Sequence, residues 1–300
     1  MKEKINLMEL AGKYSDEDKA RELLENLRWP EGPICPHCES NEAYKLTPKS
    51  GSKTRKGLYK CKKCRKQFTV TVNTIFEGSH IPINKWLIAI HLFCSSKKGI
   101  SAHQIHRMLG ITYKSAWFMF HRIRYAIKQT SLNEKMKGII EADETYVGGK
   151  GKGKRGRGSE KKTPVFSLVQ RDGKVKSQPV KNVTGKNLKS IIKENVDKNS
   201  VIMTDDFRSY AGLKKDYADH KVINHSKKEY VKGDVHTNTA ENYFSLLKRG
   251  INGTFHHVSK HHLHRYCNEF DFRYNNRKVD DGMRTAILIS KIGGKRLTYN

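Results

Sequence analysis

The sequence has no apolar run that reaches the roughly 18 residues of a membrane-spanning helix. Its N-terminus, MKEKINLMELAGKYSDED, also lacks the apolar core of a secretory signal peptide. No segment shows the long Lys/Trp pattern of a helix that lies in a membrane surface. We therefore expect no membrane partner and a location in the cytoplasm, where thiols stay reduced.

Acidic residues are scarce beside basic ones. The chain has 59 Lys and Arg against 30 Asp and Glu, a formal net charge of +29 that is spread along its length. Solubility does not require so large an excess, and a polyanion is the natural partner of such a surface. The composition therefore favours nucleic acid. With 36% hydrophobic residues, the 300-residue chain can bury a core, and its length suggests two or three domains.

Cysteine is limited to six residues, and four of them form two Cys-x-x-Cys pairs. The pairs are Cys35-Pro-His-Cys38 and Cys61-Lys-Lys-Cys64, with 22 residues between them. This spacing is typical of a zinc ribbon, in which four thiolates close a tetrahedral structural site. A redox role is disfavoured because no thioredoxin-like strand and helix flank either pair. We predict a zinc ribbon over residues 31–80, after an N-terminal helical segment at residues 1–30.

The apolar pattern of residues 81–130 predicts three helices. Ser101 caps the second helix, Gly110 ends it, and Thr112 caps the third. Two helices joined by a short turn with glycine are typical of a helix-turn-helix-like unit, whose second helix enters the major groove of DNA. The alternative is an ordinary three-helix packing unit with a solvated basic face. The helix-turn-helix interpretation assigns base contacts to Tyr113, Lys114 and Ser115, and DNA-backbone contacts to His121, Arg122 and Arg124.

Three acidic residues lie in one predicted strand, at the end of a second strand and at the start of a helix. The segment GIIEADETYVGG at residues 138–149 predicts a buried strand with Asp143 in its middle. A second apolar run, VIMT, ends in Asp205, and an amphipathic helix, ENYFSLLKRGI, begins with Glu241. A buried carboxylate needs either a basic partner on the same face or a metal ion. The two later acids favour the metal ion, although acids at strand ends are common.

The elements after Asp143 predict an α/β core. Two more strands meet at an Asp172-Gly173 turn, and a crossover helix, the strand before Asp205, a short strand and two helices follow. The order βββαβαβα, over residues 136–290, is that of ribonuclease H. Because the crossover makes the fourth strand a parallel neighbour of the first, Asp143 and Asp205 should meet. We thus predict a multidomain α/β protein with a zinc ribbon, a helix-turn-helix-like segment and a ribonuclease-H-like core.

These segments together resemble a known family. The array CPHC…CKKC, the helix-turn-helix-like segment, EADETYVGGK, MTDDFRSY and HTNTAENYFSLLKRGINGTFHHVSKHHLHRYCNEFDFRYNNR is similar to bacterial insertion-sequence transposases that join a zinc ribbon to a DDE core. The resemblance extends from residue 29 to residue 277. It implies that Asp143, Asp205 and Glu241 are the catalytic acids, and that Lys248 is the basic residue that accompanies Glu241. The family's third position is Glu, Asn or His, so Asn242 stays an alternative to Glu241.

Three further acids lie next to these positions. Glu141 shares the strand face of Asp143 and is a less favoured candidate for an additional ligand. Glu144 is expected to be solvated, and Asp206 is expected to cap a turn.

The implied reaction is phosphoryl transfer on double-stranded DNA. Hard oxygen ligands suit two Mg²⁺ or Mn²⁺ ions. With these ions bound, the enzyme would cleave the ends of a mobile element and join the freed 3′-OH to target DNA. The resemblance further implies a homodimer or larger assembly in the synaptic complex, and a nucleoid-associated location. Two alternatives remain: a nuclease or resolvase on the same fold, and a non-catalytic zinc-ribbon regulator, which would leave the three acids without a purpose.

A cationic segment, GGKGKGKRGRGSEKK, occupies residues 148–162. Its Gly148-x4-Gly153-Lys154 pattern is similar to a phosphate-binding loop, but Arg155 replaces the Ser/Thr and a strand follows in place of a helix. Nucleotide binding is therefore disfavoured, and a clamp on the DNA backbone is favoured over a loop that merely repels itself. The predicted DNA contacts here are Lys150, Lys152, Lys154, Arg155 and Arg157, and Arg249 of the later helix joins this set.

Replacing residues 148–162 by a short neutral turn should weaken binding to all DNA sequences alike. The dependence of affinity on salt should also become flatter, because phosphate contacts release counterions without reading bases. Titrations of several duplexes at a series of salt concentrations measure both effects. A loss of affinity for one sequence alone would contradict the clamp.

Overall fold

The computed structural model describes residues 5–47, 56–128, 134–149, 161–224 and 233–298. The chain forms two compact units: Met1–Ile127 together with Lys278–Asn300, and Lys128–Arg277. The end of the second unit differs from the predicted core boundary at residue 290, because the last helix belongs to the first unit.

In the first unit, two helices precede a small antiparallel sheet. They are α1 (Leu7–Ala11) and α2 (Glu17–Arg28), and Asp16 caps α2 by accepting the backbone N–H groups of Asp18 and Lys19. The sheet has the order β1-β2-β3. Its strands are β1 (Ala43–Lys45), β2 (Tyr59–Cys61) and β3 (Gln67–Phe68).

Aromatic side chains form the core of this small sheet. The ring of Trp29 lies edge-on to Tyr59 and to Phe68, with ring centroids 5.3 and 5.8 Å apart. All three residues are buried. Edge-to-face pairs of this kind stabilise a segment that has few other apolar residues.

The three helices predicted after the ribbon are present, and so are their predicted caps. They are α3 (Ile83–Ser95), α4 (Ala102–Leu109) and α5 (Tyr113–Ala126). Ser101 Oγ accepts the N–H of Gln104 at 3.1 Å, and Thr112 Oγ1 accepts the N–H of Ser115 at 3.2 Å. Gly110 ends α4 in the left-handed region, with φ of 58°, where glycine carries no steric penalty.

The last helix, α9 (Asp281–Ser290), packs on α3. Arg284 Nη1 donates a hydrogen bond to the carbonyl of Cys94 at 2.8 Å, and Thr285 Oγ1 lies 3.2 Å from Nδ1 of His91. Leu288 and Ile289 are buried on the same helix. These contacts explain why α9 joins the first unit, which the sequence pattern did not predict.

The second unit contains a five-stranded sheet of order β6-β5-β4-β7-β8. The β4–β5 and β5–β6 pairs are antiparallel, whereas β4–β7 and β7–β8 are parallel. The strand pairing predicted from the sequence is thereby confirmed. The strands are β4 (Ile139–Gly148), β5 (Lys162–Gln170), β6 (Val175–Pro179), β7 (Val201–Asp205) and β8 (Asp219–Ile223).

Helices cover both faces of this sheet. The helices are α6 (Gly185–Asn195), α7 (Asn238–Arg249) and α8 (Leu263–Asn275), with a π-helical stretch at Gly250–Phe255. On one face, Ile140 and Ala142 of β4 share a buried cluster with Leu188 of α6. On the other face, Val147 shares a cluster with Leu247 of α7. Because side chains alternate along a strand, Glu141 and Asp143 lie on the α7 face.

The outer edge of β6 is covered by polar side chains of α8. Asn275 bonds both the N–H and the carbonyl of Val175, and Asp271 Oδ2 accepts the N–H of Ser177 at 2.8 Å. Asp271 Oδ1 also accepts the hydroxyls of Ser177 and Tyr243. Burial nevertheless raises the pKa of Asp271 to about 7. The helix thus protects an edge strand at the cost of burying an acid.

The raised pKa of Asp271 predicts how stability depends on pH. An unfolded aspartate loses its proton near pH 4, whereas the folded one keeps it to about pH 7, so stability should fall as pH rises through this window. The variant Asp271→Asn has no carboxyl group to titrate at this position, so it lacks this loss of stability with rising pH. Relative to the original chain, its free energy of unfolding should increase between pH 5 and pH 8 by about 3 kcal/mol, since part of the loss already occurs between pH 4 and pH 5. Urea unfolding followed by circular dichroism measures it, and a pH-independent difference would contradict the assignment.

Candidate active site and cysteine cluster

The register of β4 and β7 sets two of the predicted acids side by side. The parallel pairing matches Ile140 with Ile202 and Glu141 with Met203. Continued by two residues along each strand, the same register matches Asp143 with Asp205. Asp143, in the middle of β4, therefore lies beside Asp205 at the end of β7, as the predicted crossover requires.

The third acid approaches from α7 across a cavity of about 710 Å³. Asp143 lies on one wall, and Glu241, in the first turn of α7, lies on the other. Asp205 is not part of the lining, and its Oδ1 accepts the N–H of Phe207 at 3.1 Å. The full lining is Asp143, Glu144, Thr145, Glu241, Phe244, Ser245, Lys248, Arg249, Asn252 and Gly253.

Charge accumulates around Asp143. Burial raises the pKa of its carboxyl well above the usual range, and the carboxylates of Glu144, Asp205 and Glu241 raise it further. The N–H of Glu144, which donates to Asp143 Oδ1 at 2.7 Å, acts in the opposite direction. The carboxylates around Asp143 therefore repel one another, and a bound cation would reduce this repulsion.

Basic side chains occupy the far end of the same cavity. Partial desolvation and the charge of Lys162 lower the pKa of Lys248, whereas Asp143 raises it. Arg249 is exposed, and its Nε donates to the carbonyl of Ser245 at 3.2 Å. Acids at one end and cations at the other suit a substrate with a phosphodiester group and bound metal ions.

Glu141 is fully buried, and its partners are hydrogen-bond donors. Oε1 accepts from Arg171 Nε at 2.8 Å and from Thr239 Oγ1 at 2.9 Å. Oε2 accepts the backbone N–H groups of Thr239 and Ala240 at 2.8 and 3.0 Å. Both oxygens are therefore occupied, which argues against Glu141 as a metal ligand. Sequence reasoning missed Arg171, and the requirement for a basic partner to a buried acid was the only signal for it.

Glu144 is not the solvated residue that the sequence suggested. It is half-buried, and its Oε2 accepts the hydroxyl of the buried Tyr210 at 2.7 Å. Glu144 is also one of the residues that line the cavity. The segment FRSY after β7 therefore contributes a positioned tyrosine, which no sequence pattern indicated.

The predicted DNA contacts of α5 divide into two groups. Tyr113 and Lys114 are exposed, Ser115 is half-exposed, and the ring of Tyr113 stacks on His103 at 4.1 Å. Arg122 and Arg124, in contrast, are buried, and His121 is fully buried. Arg122 Nη1 donates to the carbonyls of Ile75 and Glu77 at 2.8 and 2.9 Å. Their burial argues against the predicted DNA-backbone contacts of Arg122, Arg124 and His121, because the inward face of α5 carries them into the first unit's core.

The predicted contacts in the cationic segment fall outside the described residues. They are Lys150, Lys152, Lys154, Arg155 and Arg157.

Four cysteines come together in the ribbon. Their sulfur atoms all lie within 4.8 Å of one another, with Cys35 Sγ 3.6 Å from Cys64 Sγ and Cys38 Sγ 3.6 Å from Cys61 Sγ. Four sulfurs at about 2.3 Å from one ion are separated by roughly 3.8 Å in a tetrahedron. The cluster can therefore hold a structural zinc ion, as predicted.

Backbone turns shape both halves of this cluster. The N–H of Glu39 donates to Cys35 O at 2.9 Å, and that of Arg65 donates to Cys61 O at 3.1 Å, with positive φ at both donors. The N–H of Cys64 points at Cys61 Sγ, 3.4 Å away, and is the largest cause of the lowered pKa of Cys61, about 7. A lowered pKa favours the thiolate, the form that binds metal.

Comparison with known proteins agrees with these features. Residues 135–275 match the model of the ISXO2-like transposase domain, and residues 15–67 match that of the transposase zinc-ribbon domain. The chain is 30% identical over 277 residues to an uncharacterized protein in transposable element ISH50 of Halobacterium salinarum, covering 87% of this chain and 91% of that protein. It is 33% identical over 106 residues to an uncharacterized transposase-like protein of Haemophilus influenzae, covering 35% of this chain and 85% of that one.

These matches support a role as a transposase, a class of nucleic-acid-processing enzyme, and imply that the chain binds DNA. Within that class, the chain belongs to the ISXO2-like transposase family and carries a transposase zinc-ribbon domain. Among the described residues, no helix combines the length and apolar character needed to cross a membrane.

Removal of zinc should unfold the ribbon. A chelator or Cys61→Ser should abolish the ordered ribbon and weaken end-specific DNA binding while the second unit stays folded, because the metal supplies much of the ribbon's folding free energy. Zinc content, proteolysis of residues 31–80 and footprints on element ends measure the three effects. Cys94→Ser is the matched control, since Cys94 is a buried cysteine of the same unit outside the cluster. Unchanged footprints after zinc removal would contradict the prediction.

Proposed function

We propose that this protein is a DNA transposase that cleaves the ends of a mobile element and joins the freed 3′-OH to target DNA by metal-dependent phosphoryl transfer. The observation that supports the proposal is the setting of Asp143: it lines a cavity with Glu241, and the carboxylates of Asp205 and Glu241 both raise its pKa. Family membership supports the reaction class.

The donors at this site fit hard divalent cations. Asp143, Asp205 and Glu241 offer carboxylate oxygens, the ligands that Mg²⁺ and Mn²⁺ prefer, and their mutual repulsion supports a positive charge among them. Asp143, Asp205 and Glu241 would hold these ions, and Asp143 would be the central ligand, since both other carboxylates act on it. Bound ions would activate the attacking oxygen and stabilise the leaving 3′-oxygen in an in-line displacement.

The basic end of the cavity supports a role in holding DNA. Lys248 and Arg249 face the space that the acids enclose, so their cations can contact a phosphate next to the one that reacts. A bound phosphate would raise the lowered pKa of Lys248 and so favour the charged ammonium. These residues bind and orient the substrate.

DNA recognition is assigned to the first unit. The exposed N-terminal end of α5, with Tyr113, Lys114 and Ser115, is proposed to contact bases, and the zinc-loaded ribbon is proposed to assist end-specific binding. The cationic segment with Lys150 and Arg155 is proposed as a clamp on the DNA backbone. Joining two element ends calls for a homodimer or larger assembly.

The three acids can be tested by substitutions that keep side-chain shape. Asp143→Asn, Asp205→Asn and Glu241→Gln should each abolish cleavage of element ends and strand transfer. DNA binding should survive or tighten, because less negative charge faces the phosphates. Gel shifts and cleavage assays in Mg²⁺ measure the two properties separately. Cleavage without strand transfer by the original chain would favour the nuclease alternative.

The neighbouring residues Asn242 and Asp206 provide matched controls. Both are exposed; one step along a helix turns a side chain by about 100°, and Asp206 lies just past the end of β7. Asn242→Ala and Asp206→Asn should therefore keep substantial activity. If Glu241→Gln cleaves and Asn242→Ala does not, the amide is the third ligand.

A further inference from the structure

We propose that Glu141 is a positioning residue that holds the first turn of α7 against β4, and so sets the distance between Asp143 and Glu241. This inference rests on the proposed metal-dependent reaction. It assigns to Glu141 no contact with the metal ions or with DNA.

The contacts of Glu141 are those of a helix cap supplied from another element. The first N–H groups of a helix have no partner within the helix. In α7, those of Thr239 and Ala240 both donate to Glu141 Oε2, at 2.8 and 3.0 Å. Among the described residues, Thr237, which precedes the helix, makes no side-chain capping bond of its own. A carboxylate almost 100 residues earlier in the chain therefore caps α7, and its charge complements the helix dipole.

Arg171 completes this cap and extends it to the approach of the helix. Its Nε donates to Glu141 Oε1 at 2.8 Å, while Nη1 and Nη2 donate to the carbonyls of Asp234 and His236 at 2.8 and 3.1 Å. The guanidinium thus ties the segment before α7 to the same carboxylate. The buried charge of Glu141 is in this way paired and fully hydrogen-bonded, which is the condition for burying it without a large penalty.

The position of Glu141 connects two of the proposed metal ligands. Asp143 lies two residues further along β4 on the same strand face, and Glu241 directly follows Ala240 in α7. A shift of the α7 terminus relative to β4 would therefore move Glu241 away from Asp143 without altering either side chain. Metal affinity depends steeply on such supporting contacts.

The test compares the zinc-loaded full chain with its Glu141→Gln variant. The amide keeps one acceptor oxygen, has no charge and turns an NH₂ group toward donors, so the cap loses either the arginine bond or the bonds to the helix N–H groups and is weakened. Amide hydrogen exchange at Thr239 and Ala240, measured without divalent metal, should become at least tenfold faster. Binding of Mn²⁺, measured by calorimetry or electron paramagnetic resonance, should weaken about 10- to 100-fold. If Glu141→Gln does not fold, Thr239→Val takes its place in the test. It removes one of the four bonds, so it should weaken Mn²⁺ binding by a smaller factor.

Glu269→Gln is the matched control. Glu269 is also fully buried and is paired with an arginine, Arg273, at 2.6 Å within α8. Its substitution should lower stability but leave both Mn²⁺ affinity and exchange at the α7 terminus unchanged. Equal loss of Mn²⁺ affinity in Glu269→Gln and Glu141→Gln would overturn the inference, because general destabilisation would then explain both.

Asp143→Asn separates failure of this inference from failure of the proposed function. If Asp143→Asn abolishes Mn²⁺ binding and Glu141→Gln leaves it unchanged, the positioning role is overturned and the metal site stands. If Asp143→Asn itself leaves Mn²⁺ binding unchanged, the proposed metal site is overturned, and the inference with it. The positioning role is supported if Glu141→Gln shows both weaker Mn²⁺ binding and faster exchange at Thr239 and Ala240, and Glu269→Gln shows neither.

Discussion

The parallel pairing of β4 with β7 is the constraint on which the second unit depends. Parallel neighbours need a crossover connection, and here β5, β6 and α6 supply it, with α6 covering one face of the sheet. The other face is left to α7 and α8. The same pairing sets Asp143 beside Asp205, so the hydrogen bonds that build the sheet also concentrate negative charge at one end of it.

Three acids of the second unit, the buried Glu141 and Asp271 and the half-buried Asp143, have different surroundings. Glu141 is matched by an arginine and a helix terminus, so its charge is compensated inside the protein. Within the described part of the chain, Asp271 accepts three hydrogen bonds, none of them from an arginine or a lysine, and burial raises its pKa to about 7. Asp143 lies only two residues from Glu141, yet carboxylates surround it and raise its pKa. The first two acids serve the fold, whereas the environment of Asp143 is one that a cation would stabilise.

The basic side chains likewise differ in whether they are buried or exposed. Arg122 and Arg124 are buried in the first unit, and Arg171 in the second is largely shielded and bonds a buried acid. Lys248, Arg249 and Lys114 are exposed and remain available to a polyanion. The net charge of +29 therefore predicts that the partner is a polyanion. It overstates the number of Lys and Arg side chains that can contact that partner.

Local chemistry explains what the sequence by itself determined. The spacing of Cys35, Cys38, Cys61 and Cys64 predicted the cluster, since each pair closes within a single turn. The caps at Ser101 and Thr112 and the strand pairing followed from local hydrogen bonding and the handedness of crossovers.

Only the tertiary structure decided where α9 packs, which face of α5 is buried, and what Glu141 bonds. Each of these depends on contacts between residues far apart in the chain: Arg284 with Cys94, Arg122 with Ile75, and Glu141 with Thr239. Sequence patterns indicate which residues tend to be buried and which are charged. The residue that pairs with a buried charge is determined only when the elements pack together. For that reason the candidate acids could be chosen from the sequence, whereas the bonding partners of Glu141 could not.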